Sequence, residues 1–185
     1  MPARLVVLAS GAGTTLQAIL EAPDLAELVV AAGTDRPGCA AMQRAQAAGK
    51  ATFAIPLVRD RDIWDDAMAE TIASHRPDLV VCAGFMRILG APVLRRFRLI
   101  NTHPSLLPAF PGAHAVNDAL QYGVKIAGAT VHWVDEGIDS GVIIAQAAVP
   151  VEDGDTVETL RARIQAAEKP LYVDTIRRIV QGDLS

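Results

Sequence analysis

The sequence predicts an α/β domain built on a mostly parallel sheet, with antiparallel strands in its C-terminal half. Three observations carry that expectation: short apolar runs closed by glycine or polar turns, helical stripes between them, and two longer strand-like runs after residue 125. Of the 185 residues, 51% are hydrophobic and 21% charged, which favours a packed core over disorder. One domain spanning residues 1–185 is expected at this length.

Leu5–Ala9 is an apolar run followed at once by Ser10-Gly11-Ala12-Gly13, the pattern of a buried parallel strand entering a tight turn. Helical spacing begins at Thr14 and continues to Leu20. Leu28–Ala32, closed by Gly33, reads as the second strand, Cys39–Ala48 as the next helix and Thr52–Ile55 as the third strand. Across Asp62–Ser74, the residues Ile63, Trp64, Ala67, Met68, Thr71 and Ile72 mark the apolar stripe of an amphipathic helix, which Pro77 stops. Leu79–Cys82 and Leu99–Thr102 extend the series, and such alternation builds a parallel sheet with right-handed crossovers.

The rhythm then changes. A proline-rich stretch runs from Pro104 through Pro108 to Gly112, and Ile126–Val134 and Val142–Val149 follow as strands joined by the polar turn Asp135–Gly141. That pair reads as an antiparallel hairpin. Asp155-Thr156-Val157-Glu158 resembles a capping box opening a helix with Val157, Leu160, Ile164, Ala167, Leu171 and Ile179 on one side. Pro170 is expected to kink it.

Composition excludes several classes. A net charge of −4 gives no general pull toward a nucleic-acid backbone. Two cysteines, Cys39 and Cys82, make no disulfide framework, and the N-terminal apolar run is too short for a signal peptide or a membrane span. A soluble cytoplasmic domain without a nucleic-acid or membrane partner is expected. His75, His103, His114 and His132 show no H-x-x-x-H spacing, so no metal is expected, and no G-x-S-x-G elbow is present.

Two places carry chemistry. At Gly11-Ala12-Gly13 a strand, a glycine turn and a helix N-terminus make either an anion site for a phosphate, because backbone N–H groups converge there, or simply a tight turn. Asp35 sits where a ribose-binding acid would sit, yet Leu16 replaces the third glycine of a dinucleotide fingerprint. More informative is Asn101-Thr102-His103-Pro104. Strand alternation puts Asn101 and His103 on one side, at the C-terminal rim where ligands bind in open α/β sheets. An amide donor beside an imidazole suits a developing oxyanion, although alone the two could equally satisfy backbone groups of the proline turn. Asp139, in the hairpin loop, would favour the imidazolium and fix its tautomer if the fold brought it to His103. His132, among apolar strand residues, reads as a core or supporting histidine, and Asp135 and Glu136 as solvated loop charges.

Ile100-Asn-Thr-His-Pro-Ser-Leu-Leu-Pro, Phe110-Pro-Gly, Gly128-Ala-Thr-Val-His-Trp-Val and Ile138-Asp-Ser-Gly-Val-Ile-Ile-Ala-Gln together resemble the signature of the folate-dependent formyltransferases. The likeness runs from Val6 to Glu168 and is nearest to the branch that formylates glycinamide ribonucleotide in purine synthesis. It implies a Rossmann-like formyltransferase fold and 10-formyltetrahydrofolate as cosubstrate, with no metal. Asn101, His103 and Asp139 would form the catalytic set. Gly13, Thr14, Thr15 and Glu168 would hold the nucleotide. The folate would use Arg61, Met86, Arg87, Ile88, Leu89 and Asn101, with Asp135, Glu136, Gly137, Ile138 and Asp139 of the loop.

The chain departs from the family pattern at Thr14-Thr15, where Ser-Asn is common, and at Lys169-Pro170, where a histidine follows the late glutamate. Other readings of the same signature are a formyltetrahydrofolate hydrolase, which usually carries an added N-terminal domain, and a methionyl-tRNA formyltransferase, which usually carries an added C-terminal one. A non-catalytic nucleotide-binding module would leave Asn101, His103 and Asp139 unexplained. Oligomeric state stays open between a monomer and a homodimer.

Overall fold

β1 (Leu5–Leu8) has no exposed side chain, which is why it reads as an unbroken apolar run. The computed structural model describes residues 2–184 and divides into two compact units, one ending at Asn101 and one starting at Thr102. In the first unit β1 is joined by β2 (Val29–Thr34), β3 (Ala51–Ala54), β4 (Leu79–Cys82) and the first three residues of β5 (Leu99–His103), whose last two open the second unit. All of these pair in parallel, in the order β3-β2-β1-β4-β5. Such pairing requires crossover connections. These contain α1 (Thr14–Leu20), α2 (Pro23–Ala26), α3 (Ala40–Ala47), α4 (Arg61–Ser74) and α5 (Ala91–Leu94).

α4 forms where the stripe predicts a helix but is rotated from the expected face. Asp60 caps it, accepting from the N–H groups of Asp62 and Ile63 at 3.1 and 3.3 Å. Ile63 is 62% exposed, and the buried face is Trp64, Asp65, Met68, Ala69 and Ile72. Trp64 sets the rotation: its Nε1–H donates to the Ile55 carbonyl at 2.9 Å, and its ring stacks against Phe85. Asp65 belongs to that face because Gly90 N–H donates to its carboxylate at 2.9 Å.

The second unit adds α6 (Ala115–Tyr122), an antiparallel pair β6 (Ile126–Trp133) and β7 (Ile143–Pro150), and α7 (Val157–Gln181). The expected hairpin is therefore present, and α6 falls in residues 113–125, where the sequence pattern predicts no element. Leu160 and Ile164 of α7 pack with Val116, Ala127, Ala129 and Val149. The capping box lies one residue later than expected. Thr156 is the cap, and Thr159 rather than Glu158 returns the reciprocal hydrogen bond. Asp155 is drawn instead to Arg163, at 2.6 Å. α7 stays helical on both sides of Pro170. Among the described residues, no helix is long and apolar enough to cross a membrane.

Gly13 governs the turn after β1. It caps α1 with φ 71°, and a Cβ there would lie 2.5 Å from the Ala41 Cα of α3. Gly38 shares the left-handed backbone, φ 76°, but faces open space. Gly38→Ala should therefore cost only the left-handed penalty of about 1–2 kcal/mol. Gly13→Ala should add overpacking of about 1–3 kcal/mol to a similar penalty. Urea unfolding of both variants checks this; equal losses would contradict the close approach of α1 and α3.

Candidate active site

His103 ends β5 and is buried, 5% exposed. Its Nδ1 lies 3.2 Å from Asp139 Oδ2, and its Nε2 lies 2.8 Å from the Phe110 carbonyl oxygen. A carbonyl and a carboxylate only accept, so the ring satisfies both neighbours when both nitrogens carry protons. The fold thus brings together two residues that the sequence could only suggest as partners.

Asp139 stands in the loop between β6 and β7 with φ 52°, a left-handed conformation that aspartate tolerates better than most residues. Its Oδ2 also accepts from Gly112 N–H at 2.8 Å, and its Oδ1 faces His132 Nε2 at 3.6 Å. That last separation is at the long end for a hydrogen bond. Burial pushes the Asp139 pKa up, but His132, the Gly112 amide and the charge of His103 together outweigh it. The carboxyl is held below its ordinary value.

The strap from Phe110 to Gly112 supplies two of these contacts. Phe110 has φ 54° and Gly112 φ 88°, so the chain turns sharply enough to aim a carbonyl at His103 and an amide at Asp139. Thr130 of β6 fastens the stretch before it. Its hydroxyl donates to the Ser105 carbonyl at 2.7 Å and accepts from Leu107 N–H at 3.0 Å and Gln146 Nε2 at 2.9 Å. His132 is 2% exposed, as its apolar neighbours suggested. Asp135 does more than meet solvent: its Oδ1 accepts from Gly137 N–H at 3.0 Å and Ser140 Oγ at 2.8 Å, shaping the loop that carries Asp139. Glu136, Gly137 and Ile138 are exposed there, and Glu168 is buried on α7.

Asn101 lies two positions before His103 on β5 and is partly buried. In the first unit the glycine turn is held from α3: Ala41 N–H donates to the Gly11 carbonyl at 3.0 Å and Arg44 Nε to that of Ala12 at 2.9 Å. No side chain caps α1; Thr14 is exposed and Thr15 partly buried. Arg61 pairs with Asp65 at 2.9 Å, covers the Trp64 ring and donates to the Ile88 carbonyl. Met86 and Ile88 present apolar side chains 66% and 61% exposed, while Leu89 is buried. Asp35 is not placed for a ribose. It is buried, and both its oxygens are engaged by Ser10 and Arg87. The sequence reading missed Asp65, Phe110, Gly112 and Thr130. Phe110, Gly112 and Thr130 fall in the signature segments quoted above, whereas Asp65 lies off the predicted apolar stripe of α4 and leaves no signal.

A formyl transferase family model matches residues 3–176. A phosphoribosylglycinamide formyltransferase of Mycobacterium tuberculosis is 54% identical over 181 residues, covering 95% of this chain and 84% of that protein. One from Bacillus subtilis is 37% identical over 186 residues, covering 96% and 94%. The crystal structure of glycinamide ribonucleotide transformylase 1 from Symbiobacterium toebii superposes with a TM-score of 0.94 at 45% identity, covering 98% of this chain and 89% of that one.

Because folding lowers the Asp139 pKa, its charge stabilises the protein above the unfolded carboxylate value of about 3.9. That stability is lost as pH falls through the lower folded value. The Tm gap between the protein and Asp139→Asn should be open at about pH 5 and close on acidification below about pH 3.9. Calorimetry across that range checks the sign; a gap that widens in acid would contradict it.

Proposed function

The chain belongs to the formyl transferase family, and on that premise we propose that it transfers the formyl group of 10-formyltetrahydrofolate to the amine of glycinamide ribonucleotide, a step of purine synthesis. The observation that carries this reading is the His103–Asp139 pair, 3.2 Å apart, beneath the strap of Phe110 and Gly112. We take residues 1–185 as one formyltransferase domain acting in the cytoplasm. A family match running from residue 3 to residue 176 supports the single domain.

In this mechanism the substrate amine attacks the formyl carbon, forming a C–N bond and an oxyanion. Asn101 and the His103 ring N–H donate to that oxygen, and Asp139, 3.2 Å from Nδ1, holds the imidazole in orientation. In the structure His103 Nε2 faces the Phe110 carbonyl. An anionic oxygen is the stronger acceptor and takes that proton's hydrogen bond from the neutral carbonyl as charge develops. Collapse then breaks the bond to folate N10, which leaves with a proton, while the attacking nitrogen loses one through water. The nucleotide phosphate would rest at Gly13, Thr14 and Thr15, with Glu168 on the ribose side. The residues we assign to the folate are Arg61, Met86, Arg87, Ile88, Leu89 and Asn101, together with Asp135, Glu136, Gly137, Ile138 and Asp139. The exposed apolar side chains of Met86 and Ile88 suit a flat pterin.

The test is a folate absorbance assay with 10-formyltetrahydrofolate, with and without glycinamide ribonucleotide. Turnover should require the nucleotide, whereas turnover with water alone would indicate a hydrolase. His103→Ala and Asn101→Ala should each lower kcat by about 10²–10³, the usual loss of one oxyanion donor. Adding Asp139→Ala to His103→Ala should cost less than the product of the single losses, since the two act as a unit. A His103→Ala enzyme with kcat within about tenfold of the parent would defeat the mechanism.

A further inference from the structure

The Asp35 side chain is fully buried, yet it belongs neither to the catalytic set nor to any residue assigned to a substrate. Its Oδ1 accepts from Ser10 Oγ at 2.5 Å and its Oδ2 from Arg87 Nε at 2.7 Å. Ser10 Oγ in turn accepts from Met86 N–H at 2.9 Å. One carboxylate therefore ties the residue that opens the glycine turn to the first two residues of the segment 86–89. Burial raises its pKa, but the hydrogen bonds from Ser10 and Arg87 outweigh that and keep it ionised. Arg36, 3.9 Å away and largely exposed, adds a second cation.

A second carboxylate holds the far end of the same segment. Asp65 accepts from Gly90 N–H and Arg61 Nε, both at 2.9 Å, and Arg61 also donates to the Ile88 carbonyl. The two ends differ in one respect: only the Asp35 end continues into the glycine turn.

We propose that Asp35 is a positioning residue that couples the two substrate sites, so that ordering the glycine turn by the nucleotide also orders Met86-Arg87 for the folate. The inference rests on the functional reading above. Coupling of this kind needs a contiguous element that both sites bias, and it is reciprocal. A buried, fully bonded carboxylate suits the task because it tolerates no half-made arrangement. Neither Ser10 nor Met86-Arg87 can move alone without leaving part of the charge unpaired.

The test uses the full chain and measures the Kd of 5,8-dideazafolate, which carries no formyl group, with and without saturating glycinamide ribonucleotide. In the parent protein the nucleotide should tighten folate binding by about fivefold or more, the lower end of usual coupling. In Asp35→Ala that ratio should fall toward one. In Asp65→Ala both Kd values should rise while the ratio stays. If Asp35→Ala fails to fold, Ser10→Ala decides: it leaves the Asp35–Arg87 pair but cuts the link to the turn, and should also bring the ratio toward one. A ratio of one in the parent, or an unchanged ratio in Ser10→Ala, overturns the coupling. A parent that transfers formyl but shows no coupling loses this inference alone. A parent that binds neither ligand loses the functional reading as well.

Discussion

The second unit is arranged around one partly buried carboxylate, Asp139, that must be met by donors. Taking the Asp139 carboxylate partly out of water is costly unless donors meet it. His103 and the Gly112 amide meet one oxygen and His132 approaches the other. The left-handed backbone at Phe110, Gly112 and Asp139 then has a cause, since each brings a donor or acceptor to this point. Thr130 and Gln146 hold the preceding proline-rich stretch in place by satisfying backbone groups that prolines cannot.

Carboxylates do comparable work in the first unit. Asp35 and Asp65 each receive an arginine together with a hydroxyl or a backbone N–H, and between them they fix both ends of residues 86–90. A loop held in this way can present Met86 and Ile88 to solvent without collapsing onto its own apolar side chains. Rigid elements supply the anchors and the loop supplies the contact surface, the usual division of labour in a binding site.

Much of this was legible in the sequence, for reasons that differ by residue. Leu5–Leu8 and Leu79–Cys82 are buried on both faces, so their apolar runs read directly as strands. The hairpin was visible because β6 and β7 flank a polar turn. α2 and α5, at four residues each, are too short to show a period. α6 lay hidden beside the prolines, with Gly123 in left-handed conformation closing it as the one terminal cue. The rotation of α4 was missed because a periodic count ranks Ile63 above Asp65, whereas a tryptophan hydrogen bond and a distant Gly90 decide which face turns inward. At the site, Asn101, His103 and Asp139 stood out by residue type. The partners that orient two of them, the Phe110 carbonyl and the Gly112 amide, are backbone groups and leave no letter in the sequence.

Asp65 and Gly90 also constrain how this chain can drift over generations. A Cβ on residue 90 would overlap the Asp65 carboxylate, so no larger residue is accommodated while the aspartate remains. Shortening residue 65 first would open that space but release Arg61 and strand the Gly90 amide. Neither single step passes through a well-packed intermediate, so the two positions form a mutational ratchet, expected to be inherited together or exchanged together. Helix α4 and the loop leading into α5, far apart along the chain, thereby share one evolutionary fate.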